Sequence, residues 1–225
     1  EKEILITGCN GFLGKRLMRY LIEIYDNLSK NNLSKDHFIY AIDNGITSSN
    51  HEENEGRNYI KMMDENAINY NYGRLKHIDL VFHMAGLASP AQYKKYPLET
   101  IDVALTLTRI LLEYSIKWRS KLIFFSSSEI YGNPFTSNIP TNEQFNGYVA
   151  CQGPRACYDE SKRMGETLCY VYNNYFNVNT NIIRPFNVYG PGMSKFDYRM
   201  VPNMIRASII SDYNKKSFKI KSLLE

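Results

Sequence analysis

Ile4-Leu5-Ile6-Thr7-Gly8-Cys9-Asn10-Gly11-Phe12-Leu13-Gly14 is the stretch that decides the fold. A short apolar run ends at Gly8, and a helical pattern opens at Phe12, with Leu13, Leu17, Leu21, Ile24 and Leu28 recurring at helical spacing over 12–28. Three glycines spaced GxxGxxG join the two. Gly8 allows the tight turn, Gly11 lets backbone N–H groups approach a phosphate, and Gly14 lets the helix pack close to the strand. The helix N-terminus then turns its partial positive charge toward an anion. The stretch is read as the pyrophosphate loop of a dinucleotide site.

Working outward, strands are expected at 3–7, 38–43, 79–85, 121–125 and 181–183. Helices are expected from Pro97 to about Lys117, after Tyr158, and from Met200 to Ile210. Residues 27–36 read as a polar turn, and 45–58 as a polar loop without periodicity. The strands are continuous apolar runs alternating with helices, which is the pattern of a parallel sheet covered on both faces. The fold class expected is α/β, a Rossmann-type doubly wound parallel sheet. Residues 1–185 form the dinucleotide-binding domain, and 186–225 a small, partial substrate lobe.

The bulk numbers narrow the function classes. The chain has 225 residues, 44% of them hydrophobic, enough for one well-buried core. A net charge of +4 with scattered basic residues does not point to nucleic acid. The four cysteines, Cys9, Cys151, Cys157 and Cys169, have no metal-ligand spacing, so no metal is expected. No signal peptide and no apolar run of membrane-spanning length is seen, so the expectation is a cytoplasmic protein with free thiols.

Asp43 ends the second strand, where a carboxylate can hold the adenosine ribose hydroxyls. It would repel a 2′-phosphate, which favours NAD over NADP. Gly8, Asn10, Gly11, Phe12, Leu13, Gly14, Asp43, Asn44 and Ala85 are the expected cofactor contacts, joined by Tyr158 and Lys162.

Tyr158-Asp159-Glu160-Ser161-Lys162 opens a helical stretch, with Ser126-Ser127-Ser128-Glu129 at a strand end upstream. Tyr158 and Lys162 are four apart and share a helix face. A phenol has a pKa near 10, and an adjacent ammonium favours the phenolate. Such a phenolate can take a hydroxyl proton while the carbon beneath gives hydride to a nicotinamide, with Ser127 hydrogen-bonding the same hydroxyl. Glu129 is the discriminating residue: oxidation alone needs only Tyr, Lys and Ser, whereas a carboxylate beside them suggests chemistry on a keto intermediate. His83, inside an apolar strand, reads as a satisfied core histidine, and Cys157 as packing.

With these motifs in hand, the chain resembles the extended short-chain dehydrogenase/reductase family of nucleotide-sugar epimerases, dehydratases and decarboxylases. It looks closest to the UDP-glucuronate decarboxylases. Four stretches carry the likeness. They are Ala88-Ser89-Pro90-Ala91-Gln92-Tyr93 with Pro97, Ser126 to Gly132, Gly153 to Arg163, and Arg184-Pro185-Phe186-Asn187-Val188-Tyr189-Gly190-Pro191. The resemblance implies that NAD stays bound, oxidises C4 of the sugar and later returns its hydride. It implies Tyr158 as base, Lys162 as its electrostatic partner, Ser127 as hydroxyl orienter and Glu129 as the group assisting decarboxylation. Substrate contacts implied are Ser89, Tyr93, Ser128, Arg155 and Asn187. A UDP-sugar is the favoured substrate.

A 4-epimerase or 4,6-dehydratase is the alternative within the class, and a non-catalytic dinucleotide-binding module the alternative outside it. The family's usual homodimer would pair the helices after Pro97 and Tyr158, with Leu105, Ile110, Leu111, Tyr170 and Tyr172 candidates for that face.

Overall fold

The computed structural model describes residues 2–30, 37–46, 57–194, 197 and 199–214. Six parallel strands, β1 (Lys2–Thr7), β2 (His37–Asp43), β3 (Ile60–Asp64), β4 (Leu80–His83), β5 (Lys121–Phe125) and β6 (Thr180–Ile183), form one sheet in the order β3-β2-β1-β4-β5-β6. The order reverses between β1 and β4, the switch point beside which ligands of doubly wound sheets bind. Thr7 pairs with Ile42 on one side and His83 on the other, so Gly8, Asp43 and Met84 emerge together at the carboxyl ends of three strands.

Successive residues of β1 serve opposite faces. Leu5 joins a core of Val81, Leu122 and Phe124 with Leu107, Leu111, Leu112, Cys169 and Tyr172. Ile4 and Ile6 join a second core with Ile39, Ala41, Met18, Leu21 and Tyr25. Burial on both faces explains why the strand reads as one apolar run rather than an alternation.

Helices α1 (Phe12–Lys30), α2 (Pro90–Lys95), α3 (Pro97–Asp102), α4 (Thr108–Trp118) and α5 (Ala156–Tyr175) flank the sheet, with a π-helical turn, Val103–Leu107, between α3 and α4. The fully buried stripe of α1 is Met18, Leu21, Ile22 and Tyr25, while Leu17, Ile24 and Leu28 are only partly buried. Helix α1 also continues through Asn27–Lys30, where a turn was expected, because the apolar stripe reaches Leu28. Of the expected turn, 31–36 lies outside the described residues, as does 47–56 of the expected loop. Strand β3 was not expected: Lys61 interrupts its apolar residues, and only Met63 of the five is fully buried. Leu111 and Tyr172, named for a dimer face, lie in the core instead, whereas Tyr170 is exposed.

The chain divides into two compact units, 1–186 and 187–225. In the second, the described residues include α6 (Met200–Asn214).

Helix α5 packs against β5 at a glycine. A Cβ on Gly165 would lie 2.5 Å from Phe124 Cζ and 3.1 Å from the Ala104 carbonyl oxygen. Phe124 is fully buried and cannot swing aside. Gly165→Ala is therefore expected to destabilise the protein by about 1–3 kcal/mol, although alanine is the better helix former. Urea denaturation checks this; a stabilised variant would mean that α5 does not pack this closely.

Candidate active site

The glycine loop is built by close approach. Gly8 has φ of 75°, and a Cβ on it would lie 2.6 Å from Ala85. A Cβ on Gly14 would lie 2.2 Å from the Gly8 carbonyl oxygen, which accepts the Gly11 N–H at 3.1 Å. Gly11 itself has only that oxygen near its missing Cβ, at 3.2 Å, so its outer side is open. Phe12 and Leu13 form the first turn of α1, which carries no acidic residue to oppose an incoming anion.

The loop forms one wall of a cavity of about 150 Å³, lined also by Asp43, Asn44, Ala85 and Gly86. Asp43 is buried, and its two carboxylate oxygens accept the N–H groups of Asn10 at 2.9 Å and Gly45 at 2.8 Å. Each oxygen keeps a lone pair for a further donor. Ile42, Ile46, Ala67 and Ile68 add an apolar wall beside it. Ala67 and Ile68 follow β3, so this wall became visible only once that strand was placed. Backbone donors at a helix start, a carboxylate acceptor and an apolar slot together fit a dinucleotide.

At the other end of the sheet's carboxyl edge, Tyr158 stands in the first turn of α5 and Lys162 one turn later, both buried. The Lys162 ammonium lies 6.0 Å from the Tyr158 ring centroid and donates to the Phe125 carbonyl at 2.7 Å. It also lies near the cavity, since a Cβ on Gly86 would be 3.4 Å from Lys162 Nζ. Burial lowers its pKa from 10.5 to about 8. Tyr93 stacks on Tyr158, with centroids 5.3 Å apart and planes at 18°, closing one face of the phenol to water. Cys157, beside Tyr158, donates its thiol to the Tyr93 carbonyl at 3.7 Å, a packing contact.

Ser127 is buried at the end of β5, and its Oγ accepts the Glu129 N–H at 3.2 Å. Ser128 follows it, anchored by its N–H to the Pro185 carbonyl at 3.0 Å. The Glu129 carboxylate accepts a hydrogen bond from Arg155 Nη2, and Arg155 Nε reaches Asp159 at 3.4 Å. Sequence alone assigns Asp159 no role, although its spacing of four from Arg155 marks the pair. Ser89 begins α2, and its carbonyl accepts the N–H of Tyr93 at 3.1 Å. Asn187 is exposed and opens the second unit.

His83 is a buried, fully paired core group. Its Nδ1 is 2.9 Å from Thr7 Oγ1, and its Nε2 is 3.0 Å from Thr108 Oγ1 and 3.2 Å from the Val103 carbonyl. Thr108 Oγ1 donates to the Ala104 carbonyl at 2.7 Å, so Nε2 carries the proton and Nδ1 accepts from Thr7. Burial lowers the His83 pKa to about 3. Among the described residues no group of acidic, cysteine and histidine side chains is arranged to hold a metal. None of the described helices is long and apolar enough to cross a membrane.

Known proteins are similar to this chain in sequence and in fold. A UDP-glucuronic acid decarboxylase 1 from Xenopus tropicalis is 33% identical over 207 residues, covering 91% of this chain and 45% of that protein. UDP-glucuronic acid decarboxylase 6 from Arabidopsis thaliana is 33% identical, covering 92% of this chain and 56% of its own length. The chain thus spans about half the length of these relatives. Among solved structures, a UDP-N-acetylglucosamine 4-epimerase from Methanobrevibacter ruminantium superposes with a TM-score of 0.76 at 24% identity, over 96% of this chain and 64% of that one. A UDP-glucuronic acid 4-epimerase from Bacillus cereus does so at 0.71 and 24%, over 95% and 64%. At that identity the two show the fold. The sequence profile of the NAD dependent epimerase/dehydratase family matches residues 4–212, from β1 into α6, and it is to this family that the chain belongs.

Proposed function

We propose that the chain is the NAD-binding and catalytic part of an enzyme that decarboxylates UDP-glucuronate. The observation that carries the reading is the Glu129 carboxylate at the end of β5, two residues past Ser127 and tied to Arg155 of the Tyr158 helix. The glycine loop and Asp43 would hold NAD, which when bound would supply the acceptor for a hydride from sugar C4 and its later donor. Tyr158 takes the proton of the 4-hydroxyl, helped by the Lys162 charge, while Ser127 orients that hydroxyl. The resulting 4-ketone is β to the sugar carboxylate. The C5–carboxylate bond breaks, its electrons pass into the ketone as an enolate, and carbon dioxide leaves. Glu129 assists this step, and a proton returns to C5.

Asn187, Ser89, Tyr93, Ser128 and Arg155 serve as substrate contacts, and 186–225 contributes to a substrate lobe. The free thiols fit a reducing compartment such as the cytoplasm. The α5 face carrying exposed Met164 and Tyr170 fits a homodimer. A non-catalytic module is not favoured: a buried lysine held beside a buried tyrosine is costly, and dinucleotide binding alone does not require it.

The test mixes the protein with NAD and UDP-glucuronate and follows carbon dioxide and the sugar product by NMR. Carbon dioxide with UDP-xylose is expected, and Glu129→Gln should slow its release about 100-fold, the scale of losing one positioned acid–base group. A new hexuronate without carbon dioxide would instead select the 4-epimerase reading.

A further inference from the structure

The Arg155 guanidinium has two edges, and they are used unequally. The edge formed by Nε and Nη2 is taken: Nε by Asp159 at 3.4 Å, Nη2 by Glu129. Nη1 has no hydrogen-bond partner among the described residues. The Arg155 side chain is 49% exposed, whereas that of Asp159 is 13% exposed. The buried carboxylate therefore grips the inner edge of the fork, and the outer edge, Nη1 with the second Nη2 proton, faces open space. Guanidinium and carboxylate match through two parallel N–H···O bonds, so a planar anion is what that outer edge fits.

Asp159 is an unusual group to spend on this grip. Its Oδ1 is buried and has no hydrogen-bond partner. Burial, with the Glu129 charge, pushes its carboxyl above the usual range, against the opposing pull of Arg155. A salt bridge so placed adds little stability, which leaves orientation of the arginine as its use.

We propose that Asp159 is a positioning residue that holds Arg155 by its Nε edge, so that the outer edge receives the carboxylate of an acidic sugar and the pair distinguishes uronates from neutral hexoses. The proposal rests on the decarboxylase reading for the identity of the sugar. When the sugar carboxylate docks, it takes Nη1 and the second Nη2 proton, while Asp159 keeps Nε and Glu129 the inner Nη2 proton. A neutral hexose has no charge with which to pair that outer edge.

The experiment measures equilibrium binding of UDP-glucuronate and of UDP-glucose to the NAD-loaded protein by calorimetry. Asp159→Asn keeps the side-chain shape and is expected to weaken UDP-glucuronate about tenfold, or about 1.4 kcal/mol, with UDP-glucose within twofold. Arg155→Lys keeps the charge but loses the fork, and should show the same selective loss. The double variant should lose no more than Arg155→Lys alone, because Asp159 acts only through Arg155. Equal weakening of both ligands by Asp159→Asn, additive losses in the double variant, or a wild type that binds both sugars equally would each overturn the proposal. A wild type that prefers UDP-glucuronate yet releases no carbon dioxide would overturn the decarboxylase reading alone.

Discussion

Tyr158→Phe is expected to lower turnover by about 10²–10⁴-fold, the range lost with a positioned proton-transfer group, while NAD affinity stays within a few-fold. The substitution is unusually clean at this position. Tyr158 is buried and its ring is stacked on Tyr93 at 5.3 Å, so phenylalanine keeps the volume, the stacking and the first turn of α5. Only the hydroxyl is removed. The glycine loop and Asp43, proposed to hold the adenosine and pyrophosphate, are built from β1, β2 and α1 and do not touch the change. Because a 4-hydroxyl loses its proton as it loses hydride, removing the base blocks the first oxidation and everything after it. Carbon dioxide release measured beside a fluorescence titration with NAD checks both halves. Turnover within threefold of wild type would exclude Tyr158 as the base; loss of NAD binding in step with turnover would mean that the phenol supports the site's structure instead.

What the sequence made legible follows from how local each cause is. The glycine loop was legible because steric demands act within seven residues: Gly8 and Gly14 each stand where a Cβ would meet backbone within 3 Å. The strands β1, β2, β4 and β5 were legible because burial on both faces leaves continuous apolar runs. Strand β3 was not, since its single fully buried residue, Met63, leaves almost no pattern to read. The inward stripe of α1 shares only Leu21 with the leucine pattern; Met18, Ile22 and Tyr25 complete it, because they fill the core as well as leucine does. At the site, Tyr158 and Lys162 were paired by helical spacing alone. The Arg155 link to Glu129 was not, because it joins positions 26 residues apart and depends on where α5 meets the end of β5. Leu111 and Tyr172 show the same limit from the other side: an apolar helix face does not say whether its own core or a second copy covers it.

Lys162→Met should separate function from stability by moving them in opposite directions. Turnover is expected to fall at least 100-fold, since the positive charge that favours the Tyr158 phenolate is gone. Stability at pH 7, measured without NAD so that ligand linkage adds nothing, is expected to rise by about 1–2 kcal/mol. Lys162 is 5% exposed, and burial lowers its pKa from 10.5 to about 8. Holding the ammonium charged in the folded protein thus costs about 3 kcal/mol at neutral pH, at 1.36 kcal/mol per unit. Methionine has similar length and no charge, but it forfeits the bond to the Phe125 carbonyl, which takes back about 1–2 kcal/mol. The pH dependence identifies the cause. Between pH 8 and 10.5 the unfolded wild type still binds the lysine proton that the folded protein has lost, so wild-type stability rises with pH in that window. The variant lacks this rise, so its advantage should shrink from pH 8 upward, vanish at about pH 9–10, where the rise has offset about 1–2 kcal/mol, and become a deficit above that as the lost bond to Phe125 is left uncompensated. Urea denaturation of the two proteins at pH 7, 8, 9 and 10 reads this out as a difference, in which the titrations of the shared tyrosines cancel. A variant less stable than wild type by a constant amount across that range would show that Lys162 is held by packing, not retained against its burial for the sake of its charge.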